Sequence, residues 1–242
     1  MARGSQNYDA RGVTAAASSL TFSTLTSALG AYYGELPLPS LRDPFARVLY
    51  EQVAYLATDA VRMHAFELLR TTVGLTTAAI LDAPDGMLEN ICRAGGAIAV
   101  ETRATRMRAS ARLANKRWQG DLHGINALDE RDARSALQQF PMIGEPAADH
   151  ILVLMHKSMR VPLDSNALRV LGRTGLIEET ADYRATYRAA QQRLARDAPA
   201  DAEQRLYAGA LVRQHGLTLC KRRAPRCGHC PVVSWCPAAE IV

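Results

Sequence analysis

The chain has 242 residues, 48% of them apolar, and a formal net charge of +5. That length can bury a sizeable core as one large or two small domains. No apolar run reaches about 18 residues, and the start lacks a basic, then apolar, then cleavage-site succession, so the reading is an intracellular protein without membrane spans or secretion.

The charge permits a polyanionic partner without requiring one. Of 29 basic residues only Lys116, Lys157 and Lys221 are lysines. Such an arginine bias suits phosphate clamping and equally reflects codon composition. Residues 1–20 are small and polar and are expected to be poorly ordered. Leu25 to Tyr33 reads as a short helix, followed by a proline-containing connection over 35–43. Asp43-Pro44 supplies an N-cap carboxylate and a proline for the first turn. The helix it opens is expected to run to about Arg70, burying Phe45, Val48, Leu49, Gln52, Val53 and Leu56, with Glu51, Tyr55, Thr58 and Arg62 on a second stripe. A glutamate on such a stripe is usually solvated with a partner one turn away. Residues 72–120 read as further helices. Gly95-Gly96 breaks the chain before a helix over 97–117 with an apolar stripe of Ala104, Met107, Ala111 and Ala114. Its Arg108, Arg112 and Lys116 line a basic face, which is more often solvated surface than a nucleic-acid contact. Residues 119–126 form a loop, and Asp129 can cap the helix that follows.

Ala133, Ala136, Leu137 and Phe140 recur at helical spacing, as do Ala148, Ile151, Leu152 and Met155 downstream. Between them lies the hinge Pro141-Met142-Ile143-Gly144. Pro146 suits a first helical turn, where its missing N–H leaves no bond unmade. Gly144 frees the backbone to present N–H groups. This is a helix-hairpin-helix pattern, whose turn and helix N-terminus can hold a phosphate without reading bases. An ordinary helical hairpin in a core has the same pattern. Asp164, 20 residues after Gly144, opens another helix marked by Ala167, Leu168 and Leu171. Two more helices are expected at about 181–197 and 202–214, the last ended by His215-Gly216. No segment alternates apolar and polar residues as a sheet would, so the fold class is all-α, without internal repeats.

Cys220, Cys227, Cys230 and Cys236 fall within 17 residues, in the spacing C-x6-C-x2-C-x5-C. A metal site explains this better than a disulfide framework. Zinc sites usually show two short cysteine pairs, and only Cys227 and Cys230 make one. Four thiolates also suit an iron–sulfur cluster. Both readings stand on spacing alone. Cys92 lies in a helical segment and is most simply a small buried residue.

The hairpin Phe140-Pro141-Met142-Ile143-Gly144, the aspartate Asp164 and the cysteine loop, with His215-Gly216 ahead of it and a Pro-Arg-Cys-Gly-x-Cys core, together resemble the helix-hairpin-helix DNA glycosylases of the endonuclease III family, including its mismatch adenine glycosylase branch. The resemblance spans about residue 40 to residue 238. It implies two helical lobes: a central bundle over 45–158, and a lobe made of 21–44 plus 159–242 with the cluster loop at 220–236. Double-stranded DNA containing a damaged or mispaired base would lie in the cleft between them, bound by a monomer. It implies a [4Fe-4S] cluster on the four cysteines, structural in role, that sets Arg222, Arg223 and Arg226 beside phosphates. It also places Met142, Ile143 and Gly144 on the DNA backbone, with a monovalent cation on the carbonyls of Gln138, Phe140 and Ile143. Two positions depart from the family: its first hairpin glycine is Met142, and its lyase lysine is Pro146.

What the resemblance implies for chemistry follows from those positions. A target nucleotide is flipped from the duplex because its glycosidic bond is inaccessible while stacked. Breaking that bond builds an oxocarbenium-like charge, which a carboxylate stabilises. Asp164 is the candidate, and capping the following helix is compatible, since a helix N-terminus favours negative charge. Without an amine at Pro146, a Schiff base is not expected. The reading is therefore a monofunctional base excision repair glycosylase in which water attacks and Glu51 protonates the leaving base. Two registers compete: counting from Pro44-Phe45 puts Glu51 in the cleft, while counting from Thr58-Asp59 puts Gln52 there and Leu56 at the family's intercalating position. Tyr50, Tyr55 and His150 are further candidates for contact with the base. Alternatives are a bifunctional enzyme using another lysine, a non-catalytic protein that binds DNA structure, and a zinc-stapled interaction module. The excised base is not legible in the sequence. The adenine-mismatch branch normally carries a second domain beyond the cysteines, which counts against that branch.

Overall fold

The computed structural model describes residues 20–38, 40–84 and 86–241. The expectation of poor order over the first 20 residues therefore falls, Leu20 apart, outside the described residues. Among the described residues there are helices and turns and no strand, so the all-α class is observed. No helix of the structure is long and apolar enough to cross a membrane.

Helix α1 spans Phe22–Tyr33, begun by the Thr21 hydroxyl, which accepts from Thr24 N–H. Asp43 caps α2, Pro44–Gln52, accepting from Ala46 N–H at 2.6 Å. The single helix expected from Pro44 to Arg70 is in fact two, because α3, Asp59–Thr72, starts afresh from a Thr58 cap. Two arginines hold the break open. Arg62 Nη1 donates to the carbonyls of Tyr50 (3.1 Å) and Glu51 (3.2 Å), satisfying the end of α2. Arg103, itself buried, donates to Val53 O at 2.5 Å. Between them Leu56 takes a left-handed φ of 51° and is 78% exposed, whereas the single-helix reading had buried it.

Helices α4 (Thr77–Asp82), α5 (Met87–Ala94) and α6 (Val100–Trp118) follow. The expected stripe of Ala104, Met107, Ala111 and Ala114 is buried. Arg108 of the basic face turns inward and donates to the carbonyls of Ile80, Leu81 and Ala83, closing the end of α4. Helices α7 (Glu130–Leu137) and α8 (Glu145–Leu154) form the hairpin. These elements share one apolar core that includes Phe45, Leu49, Ile91, Met107, Phe140 and Ile151.

A second core joins α1 to α9 (Ser165–Arg173), α10 (Tyr183–Leu194) and α11 (Ala202–Thr218), through residues such as Leu25, Leu29, Leu171, Tyr187 and Leu211. Burying one such leucine contributes about 1.5–3 kcal/mol. Helix α11 runs past the expected stop at His215-Gly216. The reason is close approach rather than termination: a Cβ on Gly216 would lie 2.7 Å from Asn166 O, and one on Gly209 would lie 2.4 Å from Pro162 O. Both glycines let α11 sit against the backbone of residues 162–166.

Candidate functional site

The hairpin turn is closed by Phe140 N–H to Leu137 O (3.0 Å) and Ile143 N–H to Phe140 O (3.1 Å). Met142 holds φ 67° there, a conformation that suits glycine. Ile143 is buried in the first core, while Gly144 is exposed. Gln52, a candidate for the base pocket, does not reach open space. It is fully buried and its Nε2 donates to Ser110 Oγ and to Pro141 O, both at 2.7 Å. It braces the hairpin from beneath, and it is Glu51, one residue earlier, whose side chain is part exposed. Pro146 occupies the first turn of α8. Lys157 lies beyond the far end of that helix, its ammonium donating to Asn126 O.

Asp164 caps α9. Its Oδ1 accepts from the N–H groups of Asn166 (2.9 Å) and Ala167 (2.8 Å), and its Oδ2 from Asn166 Nδ2 (2.9 Å) and Arg213 Nε (3.1 Å). Arg213 sits on α11 between Gly209 and Gly216, at the i, i+4, i+7 spacing of one helix face. The same glycines that bring α11 against residues 162–166 therefore carry its guanidinium to Asp164. Its remaining nitrogens grip Asp59 at 2.6 and 2.5 Å. The first turn of α3 and the cap of α9, one from each core, are thus joined through a single arginine.

Around Glu51 the structure gathers three more groups. Arg47 Nη2 donates to Glu51 Oε1 at 2.7 Å, and Arg62 Nη1 lies 3.7 Å from Oε2. Arg47 Nη2 also reaches His150 Nδ1 at 3.2 Å. Burial, then the charges of Arg47 and Arg213, hold the His150 imidazole well below its usual range. A neutral ring that accepts at Nδ1 carries its hydrogen on Nε2. The Arg47 and Arg62 guanidinium groups also lie over the Tyr50 ring, at 4.6 and 5.5 Å from its centre. Arg47 joins Glu51 to His150 and Arg213 joins Asp164 to Asp59, its charge also acting on His150; neither arginine was singled out from the sequence. Their only local signals were an arginine one turn before Glu51 and another framed by two glycines. Tyr55 and Leu56 are exposed on the loop between α2 and α3.

Cys220, Cys227, Cys230 and Cys236 line a single cavity of about 380 Å³, and none is in a disulfide. Among the described residues no three His, Cys, Asp or Glu side chains converge on a point as ligands of one ion do. The thiols stand around the cavity instead. Helix α9 grips this loop directly: Arg169 donates to Cys220 O (3.1 Å) and Arg173 to Lys221 O (2.7 Å). One helix therefore carries Asp164 at its start and the cysteine loop along its length. Arg222, Arg223 and Arg226 are exposed on that loop.

No family model matches the chain. It is 26% identical over 196 residues to endonuclease III of Sulfolobus acidocaldarius, covering 81% of this chain and 82% of that protein. Among solved structures, a trapped endonuclease III–DNA covalent intermediate superposes with a TM-score of 0.72 at 17% identity, over 92% of this chain and 98% of that one. The chain therefore shares the all-helical fold of that endonuclease III structure. A thermostable thymine-DNA glycosylase gives a TM-score of 0.71 at 16% identity, over 91% of this chain and 97% of that one. The 3-methyladenine DNA glycosylase of H. pylori gives 0.63 at 16% identity, over 83% and 99%.

Proposed function

We propose that the protein is a base excision repair DNA glycosylase that flips a base and hydrolyses its N-glycosidic bond with water as the nucleophile. The observation that carries this reading is Asp164: a carboxylate fixed at the cap of α9 by four donors and still part exposed, with no amine at the start of α8. A carboxylate there stabilises positive charge developing on the sugar and orients the attacking water. The proteins similar in sequence or fold include an endonuclease III and two base-specific glycosylases, which supports the reaction class. The half-buried Met142 and the exposed Gly144, Arg222, Arg223 and Arg226 would meet the DNA backbone, and Leu56 would fill the space that the flipped base leaves.

The four cysteines, spaced C-x6-C-x2-C-x5-C with a single short pair and lining one cavity, suit a [4Fe-4S] cluster, which takes four thiolates. Cys220, Cys227, Cys230 and Cys236 would hold it. When bound, the cluster supplies a rigid crosslink for the loop.

Labelled duplexes bearing uracil, thymine, adenine, oxidised or alkylated bases test the reaction, each divided between alkali and borohydride treatment. Strand breaks that appear only after alkali, without a borohydride-trapped adduct, are expected. A trapped adduct would show that a lysine attacks, and binding without cleavage on every duplex would make the protein a DNA-structure binder.

A further inference from the structure

A second cavity, of about 360 Å³, lies between the start of α8, the chain at 159–161, α10 and α11, and neither Asp164 nor any of the four cysteines lines it. Its charged wall is three arginines from three elements, Arg160, Arg188 and Arg205, with Glu145 among them. Each arginine has anchors of its own. Arg160 Nη1 lies 3.5 Å from Glu145 and 3.3 Å from Asp149, both of them buried. Arg188 Nε donates to the other Glu145 oxygen at 2.8 Å. Arg205 donates to the carbonyls of Pro199 and Met159 through Nε and Nη1. Five guanidinium nitrogens remain: Nε and Nη2 of Arg160, both Nη of Arg188, and Nη2 of Arg205. None of these meets an acceptor among the described residues. Three like charges fixed around one hollow repel one another, and a bound anion offsets that repulsion.

We infer that this cavity is a binding site for a phosphate monoester of mononucleotide size. Three guanidinium groups and one carboxylate leave two positive charges in excess, and a phosphate monoester carries about −1.5 to −2 at neutral pH. A backbone phosphodiester carries a single charge and would leave part of that excess unmatched. Guanidinium forks match phosphate oxygens two at a time. These forks are already held in place, so little side-chain freedom remains to be lost on binding. The volume falls within the usual span of small-ligand sites, about 300–1,000 Å³, and Met159 and Leu194 give the cavity an apolar side for a sugar or base. Glu145 directly follows Gly144 in the chain, so the cavity begins one residue from the hairpin turn. The monoester therefore has two sources, a free mononucleotide or the 5′-terminal phosphate of a DNA strand. The assignment rests on the arginines and not on the glycosylase reading.

Calorimetric titration with deoxyadenosine 5′-monophosphate and with deoxyadenosine, at matched ionic strength, tests the site directly. The nucleotide should bind and the nucleoside should not. The Arg188 side chain is 57% exposed, so it can be changed without opening either core. Arg188→Gln should weaken nucleotide binding at least about tenfold, the effect of one charge-assisted hydrogen bond, with an unchanged circular dichroism spectrum. Two duplexes that differ only in a 5′-phosphate separate the sources. Tighter binding of the phosphorylated duplex by the parent protein, lost in Arg188→Gln, would assign the site to a strand end. Equal binding of the two duplexes, with the nucleotide bound, would assign it to a free mononucleotide. The inference is overturned if the parent protein prefers neither phosphorylated ligand to its unphosphorylated counterpart, or if the preference survives in Arg188→Gln. The glycosylase reading is unaffected by either result, since excision decides it separately.

Discussion

At the scale of single residues, Met142 and Asp164 show opposite balances of local cost and purpose. Met142 adopts φ 67° in the hairpin turn, where a side chain costs about 1–2 kcal/mol. Replacing it by glycine removes that strain and adds about 0.4–1 kcal/mol of chain entropy to be lost on folding. Met142→Gly should therefore be stabilising by roughly 0.5 kcal/mol, read as a rise in the urea midpoint with an unchanged slope. A fall would mean that contacts of the methionine side chain outweigh the strain. Asp164 tests the separation of cap from chemistry. Asparagine caps a helix about as well as aspartate, so Asp164→Asn should melt close to the parent protein. Losing the charge should slow base excision by about 10²–10³-fold. Equal losses of stability and rate would make Asp164 a cap alone. Both residues stand out in the sequence, one as a missing glycine and the other as an aspartate before a helical stripe, because turns and caps are decided within a few neighbours.

At the scale of elements, α11 shows how one helix positions a site that it does not itself contain. Its glycines at 209 and 216 lie on one face, and each would drive a Cβ into backbone, 2.4 Å from Pro162 O and 2.7 Å from Asn166 O. Gly216→Ala should cost about 1–3 kcal/mol as an overpacked contact and should loosen Arg213 from Asp164. Gly30 of α1 is the contrast: a Cβ there meets only side-chain atoms at 3.7 and 4.0 Å. Gly30→Ala should stabilise by about 0.5–1 kcal/mol, the usual helix-interior difference. Thermal melts of the two variants, moving in opposite directions, check the assignment. The sequence marks His215-Gly216 as a helix stop because glycine often plays that role, and nothing local separates a terminating glycine from one that admits a neighbouring backbone. The break after α2 has the same origin. Residues 44–70 keep a helical period, and Arg62 and Arg103 interrupt it by taking carbonyls that a continuous helix would use.

For the whole molecule, the imidazole of His150 at the meeting of α2, α8 and α11 links acidity to stability. Burial, with Arg47 and Arg213 nearby, holds it below the ordinary histidine value, so the unfolded chain binds this proton more readily than the folded one. Its contribution is complete above about pH 6.5, the unfolded value, and declines as the pH falls below it. Melting curves between pH 4 and 8 should show that decline, and His150→Gln should flatten it; an unchanged slope in the variant would assign the effect elsewhere.

What the chain specifies by itself is local in physical origin. Helical periodicity, proline and aspartate at helix starts, the hairpin turn and the cysteine spacing each act over less than about twenty residues, and they suffice for the all-α class and for placing Asp164 at a helix cap. The tertiary structure alone decides which side chains meet. Arg47 reaches His150 across 103 positions and Arg213 reaches Asp59 across 154. Neighbouring residues on a helix point about 100° apart, so Glu51 and Gln52 carry equal local claims to the open side. Only packing separates them, because Gln52 faces Ser110 and Pro141 in the first core and the Glu51 side chain is left part exposed.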